Sequence, residues 1–357
     1  MSYNILGINS SHNGSVCVLC DGEIDFFVEE ERFSRNKHED TPVEILKYVA
    51  SKYKIDEIAI GGLEILFEAN ASKIYQNYLK LLFKNTPLTN LLGSHHLCHA
   101  FSSFSSSGFN KALCVVIDGS GSLLYRKEDE KLIGVETESI FTFKYPTNIS
   151  TIYKSYKTFN PNDDKSTDSK LMNFNITLGK LYESITTKLF GHWVYAGKTM
   201  GLSSYGKSNS FILDFLKDGI INPKYYTHEK TYGSIYPKMK FPKNIPPKDI
   251  AWEIQNKSQQ IVGDYIEKGI KETGLKQVCC AGGYFLNCVS NYYLKKRFPD
   301  IDFYFDPISH DGGTSIGAAL YRWYNHSQDK SIRPRKNLYN GFKYSKKELK
   351  KIIKKYL

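Results

Sequence analysis

A pair of histidines four residues apart is the first feature of the sequence that could do chemistry. His95 and His99 lie in residues 94–100, which read SHHLCHA. On a helix this spacing places both imidazoles on one face, where they could bind one divalent metal ion. No glutamate stands beside the first histidine, as one does in the zinc proteases. The spacing favours a metal site outside that class, with two unliganded helix-surface histidines as the alternative; His96, on another face, is predicted to be a packing residue.

Asp311 is the predicted third metal ligand. It follows a predicted strand at 302–305 and directly precedes a predicted helix, and Gly312 and Gly313 come next. A carboxylate at the end of a strand can reach a shared cleft, and the glycines leave its approach open. An ordinary helix N-cap is the alternative. Two histidines and one carboxylate suit iron, zinc and manganese alike.

Two strand-turn-strand units are predicted to position these residues. The first has strands at 4–8, 16–20 and 23–28, and the short turns between them favour antiparallel pairing. The same order recurs over 111–137, with strands at 112–117, 123–126 and 132–135 and a charged turn at 127–131. This repeat predicts a structural duplication, with two α/β lobes that each have an antiparallel edge.

The remaining elements and the chain length give the predicted domain organisation. Helices are predicted at 43–53, 66–84, 174–190 and 250–273, and strands at 56–60 and 276–281. A chain of 357 residues exceeds the usual size of one hydrophobic core, so a site between two lobes is expected. The predicted division is a first lobe over 1–110, a second lobe over 111–328 and a basic segment over 329–357.

Small residues after predicted strands indicate a nucleotide site. The turn at 118–122 contains Asp118, Gly119 and Gly121, whose backbone N–H groups could face phosphates without obstruction by side chains. A second strand is followed by Gly282 and Gly283, and then by Asn287 at the start of a predicted helix, in the order expected of an adenosine pocket. The turn at 9–15 holds the matching place in the first unit, so the two turns could face a phosphate chain from opposite sides. Either turn alone, or a lone glycine pair after a strand, is weak evidence.

The stretch 197–206 combines several glycines with one basic residue, Lys198. This composition is typical of a loop that closes on an anion, which makes Lys198 a candidate catalytic residue and Gly201 a candidate nucleotide contact. The stretch does not match the GxxxxGK[ST] phosphate loop, so no ATPase site of that type is predicted.

The formal charge of +11 is concentrated at the end of the chain. From residue 330 onward there are eleven lysines and arginines against Glu348 alone, so the rest of the chain is nearly neutral. Over 345–356, Leu349, Ile352 and Ile353 recur at helical spacing among the lysines. This pattern favours docking to another domain or partner chain, with a solvated helix as the alternative and nucleic acid as the least favoured partner.

The cysteine count and the hydropathy indicate a cytoplasmic protein. Seven cysteines are an odd number for a disulfide framework, and several lie in apolar, strand-like runs, so a reducing compartment fits best. Cys17 and Cys20 have CxxC spacing but lack the second pair that a zinc site needs, so a structural role is expected. No membrane span and no secretory signal is predicted.

Six motifs occur in an order that resembles the nodulation- and antibiotic-type O-carbamoyltransferases. They lie at 5–12, 29–38, 95–100, 197–202, 282–287 and 311–314. The N-terminal domain of that family is similar to the ATPase that makes threonylcarbamoyladenosine in tRNA. The EEERFSR sequence that begins at Glu29 is the most specific of the six, because the tRNA-modifying relatives lack it.

The resemblance implies a duplicated actin-like fold, the ribonuclease H-like architecture of sugar kinases and Hsp70, with two lobes around a central cleft. It implies that His95, His99 and Asp311 bind a divalent metal, iron in the first place. It also implies transfer of a carbamoyl group from carbamoyl adenylate to an acceptor hydroxyl of a small molecule or nucleotide, with release of AMP. His12, on the first hairpin turn, is then the candidate base, or alternatively a hydrogen-bond donor to the carbamoyl oxygen.

Two features depart from the family pattern. Family members usually have an aspartate after the histidine, where this chain has Asn13, so a His–Asp partnership is expected to be missing. Family members also continue into a domain that makes carbamoyl adenylate from ATP and carbamoyl phosphate, and 337–357 resembles only its start. Another domain or chain is therefore expected to supply the donor. Two other functions are the alternatives to carbamoyl transfer: that of a tRNA threonylcarbamoyl-transfer relative and that of a non-catalytic nucleotide-binding subunit. The loops that bind the acceptor are expected within 140–175 and 220–250.

Overall fold

The computed structural model describes residues 2–62, 69–84, 86–125, 130–158, 171–173, 178–209, 216–217, 220–221, 223–227 and 238–356. Across these ranges, none of the helices is both long enough and apolar enough to cross a bilayer. The acceptor-binding loops are expected within 140–175 and 220–250, of which residues 159–170, 174–175, 222 and 228–237 lie outside the described residues, as does most of the charged turn at 127–131.

The first sheet contains the four predicted strands of the N-terminal part and one further short strand at 88–90. Its members are β1 (Asn4–Asn9), β2 (Ser15–Cys20), β3 (Glu23–Glu29), β4 (Glu57–Gly61) and β5 (Leu88–Asn90). The order is β3-β2-β1-β4-β5, in which β1, β2 and β3 pair antiparallel and β4 and β5 extend the sheet in parallel. All of β1 and nearly all of β2 are buried, as expected for strands covered on both faces. The three predicted antiparallel strands are confirmed.

The second sheet again combines antiparallel and parallel strands, but its strand order differs from the predicted repeat at residues 123–125. The later strands are β6 (Lys111–Ile117), β7 (Leu123–Tyr125), β8 (Leu132–Lys144), β9 (Asn148–Thr158), β10 (Leu171–Asn173), β11 (Leu216–Lys217), β12 (Ile220–Ile221), β13 (Tyr226–Thr227), β14 (Lys238–Met239), β15 (Gln277–Ala281) and β16 (Asp302–Phe305). The sheet order is β10-β9-β8-β6-β15-β16, with β7 paired to β8; β11–β12 and β13–β14 form separate two-stranded ribbons.

The strand predicted at 123–126 is confirmed as β7, but β8 rather than β7 takes the place beside β6. β6 pairs with the 138–144 part of β8, whereas β7 pairs only with the start of β8. The physical reason is burial: nearly all of β8 is buried, and the three residues of β7 are not. A long strand that buries its side chains stabilises the sheet more than a short half-exposed strand does.

The helices agree with the predicted segments at most positions. They are α1 (Glu31–Ser34), α2 (Val43–Lys52), α3 (Ala69–Phe83), α4 (His95–Ser107), α5 (Leu178–Phe190), α6 (Ala196–Ser203), α7 (Pro247–Thr273), α8 (Cys288–Arg297), α9 (Thr314–His326) and α10 (Lys346–Tyr356). The predicted helical residues 66–68 and 174–177 lie outside the described part of the chain.

The predicted glycine-rich loop at 197–206 is instead largely the helix α6, so this prediction was wrong. Thr199 is fully buried on α6, and its hydroxyl lies 2.8 Å from the hydroxyl of Thr186 on α5. α6 also packs against α7. These tertiary contacts outweigh the low intrinsic helix propensity of the glycines.

Two crossed helices join the sheets. Phe101 and Phe104 of α4 pack on the second sheet, whereas Ile316 and Leu320 of α9 pack on the first. The helices approach so closely that a Cβ atom on Gly317 would lie 1.7 Å from the carbonyl oxygen of Cys98. Glycine is needed at this crossing because any side chain would overlap the backbone of α4.

The segment 331–344, which we call the strap, runs back across the first sheet. Phe27 N donates to Asn340 O at 2.7 Å, and the Phe342 ring packs against Phe26 and Tyr48. α10 follows the strap and is exposed on all sides. The predicted basic helix is confirmed, and its docking to another domain or chain stays a prediction.

Candidate metal and nucleotide site

α4 places both predicted histidine ligands at one point. The Nε2 atoms of His95 and His99 lie 3.2 Å apart, and both side chains are buried. Nδ1 of His95 lies 3.2 Å from the carbonyl oxygen of Gly62, just beyond the end of β4. A proton on Nδ1 that bonds this carbonyl leaves the Nε2 lone pair free for a metal ion, the usual support for a metal-binding histidine.

Two carboxylates complete the cluster. Oδ2 of Asp118, directly after β6, lies 3.2 Å from Nε2 of His95. Oδ1 of Asp311 lies 3.7 Å from Nε2 of each histidine. One ligand atom from each of the four residues lies within 4.8 Å of the others. We call His95, His99, Asp118 and Asp311 the metal cluster; the sequence predicted three of its members as ligands and assigned Asp118 to the nucleotide.

The donor atoms of this cluster fit a divalent metal ion. Two imidazole nitrogens and two carboxylate oxygens suit iron, zinc or manganese. Oδ1 of Asp311 is buried and has no hydrogen-bond partner in the described structure. A buried carboxylate oxygen without a partner is costly, and a cation at the centre of the cluster would satisfy it.

The electrostatics of the cluster keep both carboxylates ionised. Burial alone would lower the pKa of His95, but the nearby Asp311 and Asp118 outweigh it and raise that pKa to about 9. Burial likewise opposes ionisation of Asp118, yet the three histidines around it hold the pKa of its carboxyl well below the ordinary range. The cluster is therefore prepared for a cation, with one proton held on His95 when no metal is bound.

His96 belongs to a different network, as predicted. Its Nδ1 lies 2.8 Å from the hydroxyl of Ser139, and Glu136 accepts from its backbone N–H. Burial lowers the pKa of His96 to about 4, so its ring is neutral. A Cβ on Gly121 would lie 2.4 Å from Cγ of Glu136 and 2.7 Å from the His96 ring. Gly121 therefore allows this packing, and it lies away from the cleft.

His12 has a carboxylate partner, contrary to the expectation from Asn13. Its Nδ1 lies 3.2 Å from Oδ2 of Asp311, although the alignment is not that of a hydrogen bond. Ser11 donates its hydroxyl proton to the same oxygen at 2.9 Å. The His12 ring stacks on Trp193 at a centroid distance of 5.8 Å. Asp311 thus faces the cluster with one oxygen and His12 with the other.

A cavity of about 540 Å³ lies between the two sheets and borders this cluster. Its lining contains six predicted site residues: His12, Asp118, Gly119, Gly283, Asn287 and Asp311. The backbone N–H of Gly283 donates to Oδ1 of Asp118 at 3.2 Å. Asn287 accepts from the N–H of Ser290 and so caps α8, and its amide donates to Gln255 at 2.8 Å. The ends of β1 and β6, the first strands of the two sheets, therefore meet at one cleft.

Three further predicted residues lie outside the cavity lining in the described structure. Gly282 has φ +92°, and a Cβ there would lie 2.3 Å from the carbonyl oxygen of Ile117, so it serves the close approach of two strand ends. Lys198 is exposed, and its Nζ lies 3.7 Å from the centre of the Tyr195 ring. Gly201, on the same helix, faces open space.

The cavity also contains residues that the sequence did not single out as site residues. At the start of α5, Gly179, Tyr182 and Glu183 line it. A Cβ on Gly179 would lie 2.6 Å from the carbonyl oxygen of Asp118, so a glycine is needed there. A glycine in the first turn of a helix was the available signal. Residues of the 29–38 block also line the cavity, and Glu29 is paired to His310 at 3.4 Å.

Two such sheets, joined by crossed helices around one cleft, define a duplicated actin-like ATPase fold. The crystal structure of HypF from T. kodakarensis has this fold with 13% sequence identity and a TM-score of 0.53, covering 89% of this chain and 47% of that chain. The family model described as the carbamoyltransferase N-terminus matches residues 66–320, well over half of the sequence. The chain belongs to this carbamoyltransferase family.

Two nodulation proteins illustrate the similarity. Nodulation protein NolNO of Sinorhizobium fredii is 27% identical over 342 residues, which cover 87% of this chain and 46% of that protein. Nodulation protein NolO of Bradyrhizobium diazoefficiens is 26% identical over 236 residues, which cover 64% of this chain and 37% of that protein. The chain spans about half the length, or less, of these relatives.

Proposed function

We propose that this chain is the transfer domain of an O-carbamoyltransferase, which moves a carbamoyl group from carbamoyl adenylate to an acceptor hydroxyl. The observation that carries the proposal is the convergence of His12, the metal cluster and Gly283 on one cavity. A cavity of about 540 Å³ is large enough for a nucleotide-sized donor. Membership of the carbamoyltransferase family supports the chemical nature of the transferred group.

The metal cluster would bind one divalent ion, with iron as the first candidate and zinc or manganese as alternatives. Bound there, the ion would supply a Lewis acid that neutralises phosphate oxygens of the donor. Gly119 and Gly283 border the same space without side chains, and Asn287, which also lines the cavity, would contact the adenosine.

In the proposed reaction the acceptor oxygen attacks the carbamoyl carbon. The bond between that carbon and the phosphate oxygen breaks, and AMP leaves with the electron pair. His12 takes the hydroxyl proton on Nε2, while Asp311 orients the ring from the Nδ1 side. In the alternative role, His12 donates a hydrogen bond to the carbamoyl oxygen as charge develops on it. Lys198 is assigned to the donor phosphate after closure of the cleft, which requires it to leave the Tyr195 ring.

The donor is proposed to come from ATP and carbamoyl phosphate through a further domain or a partner chain. The family relatives are about twice as long as the matched part or more, which agrees with such a second function in their remaining length. The acceptor is a small molecule or nucleotide with a free hydroxyl. A cytoplasmic location is part of the same proposal, because ATP and reduced thiols are found together there.

Synthetic carbamoyl adenylate tests the proposal directly. The metal-loaded chain is incubated with this donor and a panel of hydroxyl acceptors, and AMP and carbamoylated products are measured by mass spectrometry. A carbamoylated acceptor is the expected result. AMP release without any carbamoylated acceptor would count against transfer, and activity only with threonylcarbamoyl adenylate and tRNA would favour the tRNA-modifying alternative. Inactivity toward both donors despite tight nucleotide binding would favour a non-catalytic subunit.

His12→Gln separates the two roles of His12. Glutamine retains a hydrogen-bond donor but cannot accept the hydroxyl proton at neutral pH. The base role predicts a loss of about 10²–10⁴ in turnover. Turnover close to that of the wild type would support the donor role instead.

A further inference from the structure

The face of α4 that carries the metal cluster continues beyond it. Ser102 and Ser106 follow His95 and His99 at intervals of three and four residues, so the four side chains share one side of the helix. The hydroxyl of Ser102 donates to Oδ2 of Asp306 at 2.7 Å. The hydroxyl of Ser106 accepts from Nη2 of Arg335 at 3.0 Å. The second half of the metal-binding helix is thus tied to two charged side chains.

Asp306 lies where β16 ends and the loop to Asp311 begins. Its backbone N–H donates to Cys280 O at 2.9 Å, and its Oδ1 accepts from the N–H of Ile308 at 3.0 Å. The side chain is only 1% exposed. One carboxylate therefore fixes α4, through Ser102, relative to the loop that carries Asp311.

Arg335 of the strap supplies the counter-charge. Its Nη1 lies 3.4 Å from Oδ1 of Asp306, and its side chain is 4% exposed. Its backbone N–H also donates to the carbonyl oxygen of Ser106 at 2.9 Å. A buried ion pair of this kind depends strongly on both partners, because removal of one leaves an uncompensated buried charge. Arg335 thus links the strap both to α4 and to the loop after β16.

We propose that Arg335 is a positioning residue of the metal cluster, which holds α4 and the 306–311 loop so that the histidines and Asp311 face the same ion. The inference rests on the metal site of the proposed function. Without Arg335, the Asp306 carboxylate would turn toward water and release Ser102 and the loop. Displacements on the order of 0.5 Å are enough to weaken a metal site. The strap lies outside the family-matched residues 66–320, and it would nevertheless control their metal affinity.

Arg335→Met tests this role, with Arg333→Met as the matched control. Arg333 is also on the strap, pairs with Asp329 and Glu23, and lies over the Trp323 ring at 5.6 Å. Both variants should lower Tm, because each removes a partly or fully buried ion pair. Titration with Co²⁺, followed by its visible d–d absorption, should show affinity reduced about tenfold or more in Arg335→Met and unchanged in Arg333→Met. Arg335→Lys should recover part of the loss.

Milder variants keep the test decisive if Arg335→Met does not fold. Ser106→Ala removes one hydrogen bond to the guanidinium and should weaken Co²⁺ binding about two- to tenfold. Wild-type affinity and absorption in both Arg335→Lys and Ser106→Ala would overturn the proposal, as would equal losses in Arg335→Met and Arg333→Met. A wild-type chain that binds no Co²⁺ would refute the metal site itself, and this inference with it.

Discussion

Substitution of Gly317 by alanine should disturb the metal cluster from outside the cleft. A Cβ at this position would lie 1.7 Å from the carbonyl oxygen of Cys98. An ordinary carbon–oxygen contact is about 3.3 Å, so α4 and α9 would have to separate by about 1.6 Å. Cys98 is next to His99 on α4, and α9 begins soon after Asp311. The displacement therefore acts directly between ligands on the two sides of the cluster.

The expected cost is that of an overpacked core, about 1–3 kcal/mol, with a fall in Tm of roughly 2–4 °C for each kcal/mol. Because the separation exceeds what a metal site tolerates, Co²⁺ affinity should fall by about 10- to 100-fold. Circular dichroism during heating measures the first effect, and Co²⁺ titration at a fixed temperature below the transition measures the second.

Gly201→Ala is the control for the stability measurement. Gly201 also lies within a helix, but a Cβ there meets nothing within 4 Å. Alanine has the higher helix propensity, so Tm should stay equal or rise slightly. If Gly317→Ala retains the wild-type Tm and the wild-type Co²⁺ affinity, the close crossing of α4 and α9 does not position the ligands.

Three further predictions follow from the site. Because the pKa of His95 is about 9 without metal, metal binding must displace its proton. Apparent Co²⁺ affinity should therefore rise about 50-fold from pH 7 to pH 9 and level off above pH 9 at about 100-fold, and a flat profile in titrations would contradict this. Asp118→Asn should weaken Co²⁺ binding about 10- to 100-fold, since Oδ2 lies 3.2 Å from His95 Nε2, and equal affinity would remove Asp118 from the cluster. Gly282→Ala should lower Tm, because the φ of Gly282 is +92° and the new Cβ would overlap the carbonyl oxygen of Ile117. Gly283→Ala should mainly weaken AMP binding, measured by calorimetry. The reverse pattern would exchange the roles of the two glycines.

Local patterns predicted the parts of the site that depend on local geometry. The positions of His95 and His99 on one helix face follow from their spacing alone, and the strand-glycine-helix order around Gly283 follows from short-range preferences. The N-terminal strands were predictable for the same reason, because alternating apolar runs and tight turns specify a hairpin.

Long-range packing determines the contacts in the site that the sequence did not predict. Asp118 was assigned to a phosphate turn, and only the packing of α4 beside β6 brings it to His95. The partner of His12 was sought in the adjacent Asn13, but the fold supplies Asp311 from the far end of the chain. The contact of Arg335 with Asp306 likewise depends on the path of the strap, which no local pattern specifies.

Tertiary contacts also overturned one local assignment and determined the strand order in another place. The glycines around Lys198 favour a loop, but the buried Thr199 and the contact with α7 hold the segment as a helix. The 123–126 segment has strand-like residues, but β8 competes for the position beside β6 and buries more of its length. In both cases burial provided more stabilisation than intrinsic propensity.

The metal content of the purified chain shows whether the four residues of the metal cluster hold an ion. The chain and its His99→Ala variant are purified in parallel, without added metal and under anaerobic conditions, and their divalent metals are measured by elemental analysis. Four converging ligands predict about one ion per wild-type chain and a large loss in His99→Ala, with circular dichroism confirming that the variant is folded. Equal stoichiometric metal in both proteins would contradict the assignment of the metal cluster.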